Sequence, residues 1–153
     1  MLMTASDFRE SLRAYKPRVF INGNTVESVA DEPLLAPGVN AVGITYDFAH
    51  KAEHRELMTA TQATSGNTVN RMLHIDETSK DLLYKLEAVR LVCKYSGCAQ
   101  RYLTHDAVNG IFQATKRTDD VHGTNYHDRF VHYLHEVQDR DLTLGVAMTD
   151  KKG

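Results

Sequence analysis

The chain has 153 residues, enough for one ordinary domain with its own core. With 42% hydrophobic and 25% charged residues and a net charge of -2, it reads as a soluble globular protein. That balance argues against a broad electrostatic footprint for nucleic acid. Two cysteines argue against a disulfide framework, and no run approaches the ~20 apolar residues of a membrane helix. A cytoplasmic protein away from membranes is the expectation, and Met1 to Asp7 does not read as a secretory leader.

In chain order, Thr4 followed by Asp7 predicts a capped helix carrying Phe8, Leu12 and Tyr15, ended by Pro17. Arg18 to Ile21, Asn22-Gly23 and Thr25-Val26 predict a small β-hairpin. Pro33 and Pro37 mark Asp31 to Gly38 as a loop. A helix is expected from about Asn40 to Lys51, with Val42, Tyr46 and Ala49 on one side, and a weaker one over Glu53 to Thr59. Thr61 to Thr68 reads as a polar linker.

The clearest helix starts at Thr78 or Ser79, and Leu82, Leu83, Leu86, Val89 and Cys93 form its apolar stripe. Ser96-Gly97 kinks or breaks it. Helical pattern resumes through Leu103, Val108, Ile111 and Phe112 and ends near Thr118. A loop, His122 to Asn125, precedes a last helix from Tyr126 to Gln138, with Phe130, Val131, Leu134 and Val137 inward and Thr124 or Asn125 as its cap. After Asp141 the chain reads as extended, and the polar Met148 to Gly153 reads as a linker. The fold class is mainly α with a minor hairpin.

Few residues carry a chemical signature. On a helix Cys98, Arg101, Tyr102 and His105 share one face. A thiolate there suits a soft metal, but a free cysteine is more often a small buried hydrophobe. Cys93 lies about 140° around a continuous helix from Cys98, at ~100° per residue, so the two thiols do not converge. His127, His132 and His135 with Glu136 offer imidazoles without a recognised zinc spacing, and surface histidines are the plainer account. Arg90, beside the apolar stripe, suits a carboxylate, a phosphate or a flavin edge, or else snorkels to solvent. Gly-x-Ser-x-Gly, Gly-x-Gly-x-x-Gly and P-loop patterns do not occur.

A series of landmarks runs in order along the whole chain: Met1-Leu2-Met3-Thr4-Ala5, Glu10-Ser11-Leu12-Arg13, Asn40-Ala41-Val42, Thr45-Tyr46, Leu57-Met58-Thr59, Asn70-Arg71, Arg90-Leu91, Cys98-Ala99-Gln100-Arg101, Asp106-Ala107, Gly123-Thr124-Asn125-Tyr126-His127 and Ala147-Met148-Thr149-Asp150. Together they resemble the amino-terminal part of the family that holds 4-hydroxybutyryl-CoA dehydratases (also vinylacetyl-CoA isomerases) and 4-hydroxyphenylacetate 3-monooxygenases. The resemblance implies an acyl-CoA dehydrogenase-like N-terminal helical domain over residues 1–145, with 146–153 starting a linker to further domains. It implies FAD held between domains and subunits, a homo-oligomer, and an acyl-CoA or phenolic substrate.

The dehydratase branch adds a four-iron four-sulfur cluster, to which this domain gives two cysteines four residues apart. Cys98 matches the first, but the second position is Tyr102, and a phenol replaces an iron-binding thiolate poorly. Arg90 and Gln100 match positions near flavin and substrate. Three readings follow: a dehydratase or isomerase domain inactive alone, a domain of a cluster-free flavin monooxygenase, and a non-catalytic helical domain that self-associates. Each predicts an apolar surface left bare in this chain.

Overall fold

The computed structural model describes residues 1–62, 65–98 and 101–146. Among them are six α-helices: α1 (Ala5–Tyr15), α2 (Ala36–Asp47), α3 (Ala52–Met58), α4 (Ser79–Ser96), α5 (Tyr102–His122) and α6 (Tyr126–Asp139). Two antiparallel hairpins interrupt them, β1 (Val19–Ile21) with β2 (Asn24–Val26), and β3 (Thr59–Thr61) with β4 (Thr68–Asn70). The mainly α class with an N-terminal hairpin is therefore as expected from sequence. No helix among the described residues is long and apolar enough to cross a membrane.

Local signals set most boundaries. Thr4 and Thr78 each accept from the backbone N–H three residues on, and Asp7 and Asp81 bond back to the cap, so α1 and α4 both start with a capping box. Asn22-Gly23 turns the first hairpin with both residues at positive φ, which pairs Ile21 with Asn24. Gly97, at φ 74, closes α4 in the left-handed conformation, so the helix stops there and α5 begins as a new element.

Several expectations need correction. Pro37 does not belong to a loop; it lies in the first turn of α2, where its missing N–H costs nothing, so this helix spans Ala36–Asp47 rather than 40–51. The stretch read as a linker after Thr61 leads between β3 and β4, whose register joins Thr59 to Asn70 and Thr61 to Thr68; pairing across such a loop leaves no local periodicity. A 3₁₀ turn, Arg71–Leu73, follows directly. Asn125 holds the N-cap position of the last helix, as expected, but its side chain makes no capping bond. Asp119 of α5 accepts from Tyr126 N at 2.9 Å and His127 N at 2.8 Å, and Thr124 Oγ1 bonds to the same carboxylate at 2.6 Å. The linker assigned to 146–153 falls, after Val146, outside the described residues.

The core has three parts. Phe48, Ala49, Met58, Met72, Ala88 and Val92 bring α2, α3, the 3₁₀ turn and α4 together. Phe8, Val39 and Tyr46 join α1 to α2. A Cβ at Gly43 would lie 3.0 Å from that of Ala5, so a glycine lets those two helices approach closely. Ile75, Val108 and Leu134 join α5 and α6 to the segment before α4.

Candidate functional site

Four of the residues singled out from sequence, Cys98, Arg101, Tyr102 and His105, lie between the end of α4 and the first turns of α5. Gly97 turns the chain, Ser96 Oγ donates to the carbonyls of Val92 and Cys98, and α5 begins at Tyr102. The start of α5 is held by buried polar contacts rather than by a side-chain cap. Arg101 is 1% exposed, and its guanidinium donates to the Asp141 carboxylate at 3.0 Å and to Leu142 O at 3.2 Å, while lying 4.3 Å from the Tyr46 ring centroid. Thr104 donates to Leu144 O at 2.9 Å. His105 donates through Nδ1 to Arg71 O, since a carbonyl only accepts, and its Nε2 lies 2.9 Å from Asp76 Oδ2.

This buried footing fixes what the corner presents outward. Cys98 and Tyr102 are half-buried on the turn and the first helical residue. Lys85 of α4 pairs with Asp106 of α5, and its ammonium lies 5.9 Å from the Tyr102 ring centroid. Tyr102, Lys85 and Asp106 thus bring a phenol, an ammonium and a carboxylate together on this side. With a phenol, Tyr102, where the resemblance calls for a second thiolate, these residues do not suit an iron–sulfur cluster. No group of three or more His, Cys, Asp or Glu among the described residues is arranged to hold a metal ion.

The other residues marked from sequence separate. Arg90 is exposed and pairs with Glu87 at 2.6 Å one turn away, as a snorkelling arginine does. Gln100 lies outside the described residues. Cys93 is exposed on α4. His127 turns to α5, with Nδ1 3.2 Å from Thr115 Oγ1 and its ring edge-on to Phe112, while His132 is exposed. His132 and His135 line one surface pocket with Glu136, apart from His127, and the three imidazoles form no metal-holding group among the described residues.

Arg101 and Asp141 were not paired from sequence as an anchor. An arginine beside a cysteine reads as chemistry, and the partner 40 residues away emits no local signal.

The apolar stripe of α4 points the opposite way from a simple core-facing helix. Ala88 and Val92 are fully buried, but Leu82, Leu83 and Leu86 are 51%, 62% and 53% exposed. Three large aliphatic side chains within two turns form a bare face next to the corner that carries Lys85. Leu103, at the start of α5, is also exposed.

His74 sits between the 3₁₀ turn and α4, with Nε2 3.5 Å from Asp81 Oδ1. Burial pulls its pKa below the ordinary 6.5, and that outweighs the opposing pull of Asp81. The unfolded chain then takes up the proton first. The stability tied to a neutral His74 is complete above pH 6.5 and is lost as pH falls from there through the lower folded value. An NMR titration should place the His74 midpoint below 6.5; a midpoint at or above 6.5 would contradict the burial seen here.

With that geometry in place, comparisons with known proteins agree with one another. Residues 4–153 match the family described as 4-hydroxyphenylacetate 3-hydroxylase N terminal. The chain is 39% identical over 154 residues to the 4-hydroxybutyryl-CoA dehydratase/vinylacetyl-CoA-Delta-isomerase of Clostridium aminobutyricum, covering 100% of this chain and 31% of that protein. An oxygen-tolerant archaeal 4-hydroxybutyryl-CoA dehydratase from N. maritimus superposes with a TM-score of 0.94 at 38% identity, over 100% of this chain and 30% of the other. The oxygenase component of 4-hydroxyphenylacetate 3-monooxygenase, solved with FAD, shares the fold at a TM-score of 0.69 and 22% identity, over 92% of this chain and 29% of the other. The chain thus spans about 30% of the length of the relatives it matches.

Proposed function

We propose, from the premise that this chain belongs to the 4-hydroxyphenylacetate 3-hydroxylase family and matches its N-terminal domain, that it forms one helical wall of a composite flavin site completed by protein outside these residues. The observation that carries this reading is the bare leucine face of α4 flanking Lys85, which pairs with Asp106 of α5. A domain with its own three-part core has no intrinsic reason to expose those leucines, whereas a wall awaiting a partner does.

Residues 1–145 act as the helical domain and 146–153 lead toward the rest. FAD, when bound in the complete enzyme, supplies the redox chemistry. Arg90 and Gln100 provide polar contacts at its edge or at the substrate, and the buried Arg101 footing keeps the corner in place. The activity that best fits 39% identity along the whole chain is that of a 4-hydroxybutyryl-CoA dehydratase or vinylacetyl-CoA isomerase, acting on an acyl-CoA in a cytoplasmic homo-oligomer. A second reading rests on Tyr102, with Lys85 over its ring, where the resemblance calls for a second cluster cysteine. It makes the complete protein a cluster-free flavin enzyme closer to the phenol monooxygenases.

Titrating this chain with FAD should show no saturable binding in the micromolar range, because one wall buries too little of the cofactor. Stoichiometric yellow protein from purification would defeat the composite-site reading. Iron and sulfide analysis of the anaerobically purified full-length protein separates the two chemistries: about four irons per chain favours the dehydratase with its cluster, and none favours the cluster-free enzyme.

A further inference from the structure

We infer that Asp76 and His105 form a proton-held clasp: His105 is an imidazolium in the folded chain, and its second proton fastens α5 to the segment that leads into α4. The inference is independent of the flavin site proposed above. The His105 side chain is 1% exposed and that of Asp76 8%.

Two separate counts of donors and acceptors call for the same proton. On the ring, Nδ1 lies 2.9 Å from Arg71 O and Nε2 lies 2.9 Å from Asp76 Oδ2. A neutral imidazole has one N–H and one lone pair, so it serves only one of two acceptors. The other contact would set lone pair against lone pair, whereas an imidazolium donates to both. On the carboxylate, Oδ1 is buried without a hydrogen-bond partner, and His105 is the ion-pair partner that Asp76 has among the described residues. A buried carboxylate needs a cation beside it, and the imidazolium stands where that cation belongs.

The neighbouring charges are spent elsewhere. From the 3₁₀ turn, Arg71 donates to the carbonyls of Leu57, Glu56 and Thr59, and its remaining nitrogen lies 3.8 Å from Asp81. His74 Nε2 faces the same Asp81 oxygen, and burial holds its pKa below 6.5, so it adds no second cation at neutral pH. On α5 itself, Arg101 is taken by Asp141 and Asp106 by Lys85.

The clasp works beside a neutral one. Asp76 N donates to Asn109 Oδ1 at 2.8 Å, and Asn109 Nδ2 donates to His74 O at 3.0 Å. When rising pH takes the second proton, the Asp76 side-chain bond goes and these amide bonds stay. The grip of α5 on residues 74–76 then loosens just ahead of Thr78, the cap of α4. A proton that only the folded form binds is linked to folding in this direction: held at lower pH, lost as pH rises.

Long-range proton–nitrogen NMR of the chain at neutral pH reads both ring nitrogens of His105 directly. Both should show the shifts of protonated nitrogen, with the Asp76 carboxyl carbon at its ionised position. Asp76→Asn should turn Nε2 into an unprotonated nitrogen while Nδ1 stays protonated, because the amide donates to a neutral ring and so keeps the contact. Raising the pH of the unsubstituted chain should move Nε2 the same way. Hydrogen-exchange protection of the Asp76 amide, corrected for the intrinsic rate, should then fall about tenfold, the size of one charge-assisted hydrogen bond. A single protonated nitrogen at neutral pH, a protonated Asp76 carboxyl, an Nε2 that stays protonated in Asp76→Asn, or protection unchanged after Nε2 loses its proton would overturn the clasp. The measurements on the unsubstituted chain decide the matter even if the variant fails to fold.

Discussion

Arg101→Met should destabilise the chain by about 3–5 kcal/mol, the usual cost of stranding one partner of a buried ion pair. Arg101 and Asp141 have side chains 1% and 0% exposed and meet at 3.0 Å. Asp141 is the hub of this region. Its second carboxylate oxygen accepts from Met3 N at 3.1 Å, and its carbonyl accepts from the Tyr46 hydroxyl at 3.0 Å. Tyr46 also bonds Thr143 at 2.6 Å, so α2, α5, the N-terminal segment and the chain after α6 all meet at one carboxylate and its guanidinium. Removing Arg101 leaves that carboxylate buried with a backbone N–H in place of a cation.

Asp141→Asn should cost a similar amount by stranding the guanidinium. Backbone strain is not the reason, since asparagine tolerates the φ of 48 found there. The double variant should lose clearly less than the sum of the two, because the second substitution removes the charge that the first left stranded. Urea unfolding of the four proteins measures the cycle. A loss below about 1 kcal/mol for Arg101→Met would mean that the footing of α5 lies elsewhere.

Leu82→Lys with Leu86→Lys should do the reverse: little to the domain and much to the assembly. Both leucines are more than half exposed, so unfolding of the chain should change by less than about 1 kcal/mol. Binding of a hydrophobic dye to the chain should fall, because the bare face is gone. In full-length protein carrying this domain, the same pair should prevent flavin retention and subunit assembly, since two ammonium groups would be buried against an apolar partner. Ala88→Lys on the opposite face gives the contrast. Ala88 is fully buried in the main core, and this change should unfold the domain itself. If the double lysine variant of the full-length protein keeps its flavin, α4 does not form the wall proposed for it.

The two cases show where sequence patterns carry information and where they stop. The stripe of Leu82, Leu83 and Leu86 announces that α4 has an apolar face, and it does. Periodicity cannot say whether that face is covered within the chain. Here the inward positions went to Ala88 and Val92, whose size suits the close packing of α4 on α2 and α3. The resemblance marked Cys98 and Tyr102, which fall on the turn after α4 and on the first residue of α5. Arg101 between them was read as part of a reactive face, yet it points inward to Asp141. Arg90 is exposed beside Glu87, and Gln100 falls outside the described residues, so the flavin contacts assigned to them rest on resemblance.

By itself the sequence determined what short-range chemistry can decide. Threonine–aspartate caps opened α1 and α4, Asn22-Gly23 turned the first hairpin, and Gly97 ended α4. The order of these landmarks, with those around them, also pointed to the family. Only the tertiary structure decided the β3–β4 pairing, the Asp119 cap on α6, the Arg101–Asp141 anchor and the outward face of α4. The anchor joins residues 40 apart, the hairpin and the cap join residues at least seven apart, and the outward face depends on what the rest of the fold packs against; a residue's propensity records none of these partners.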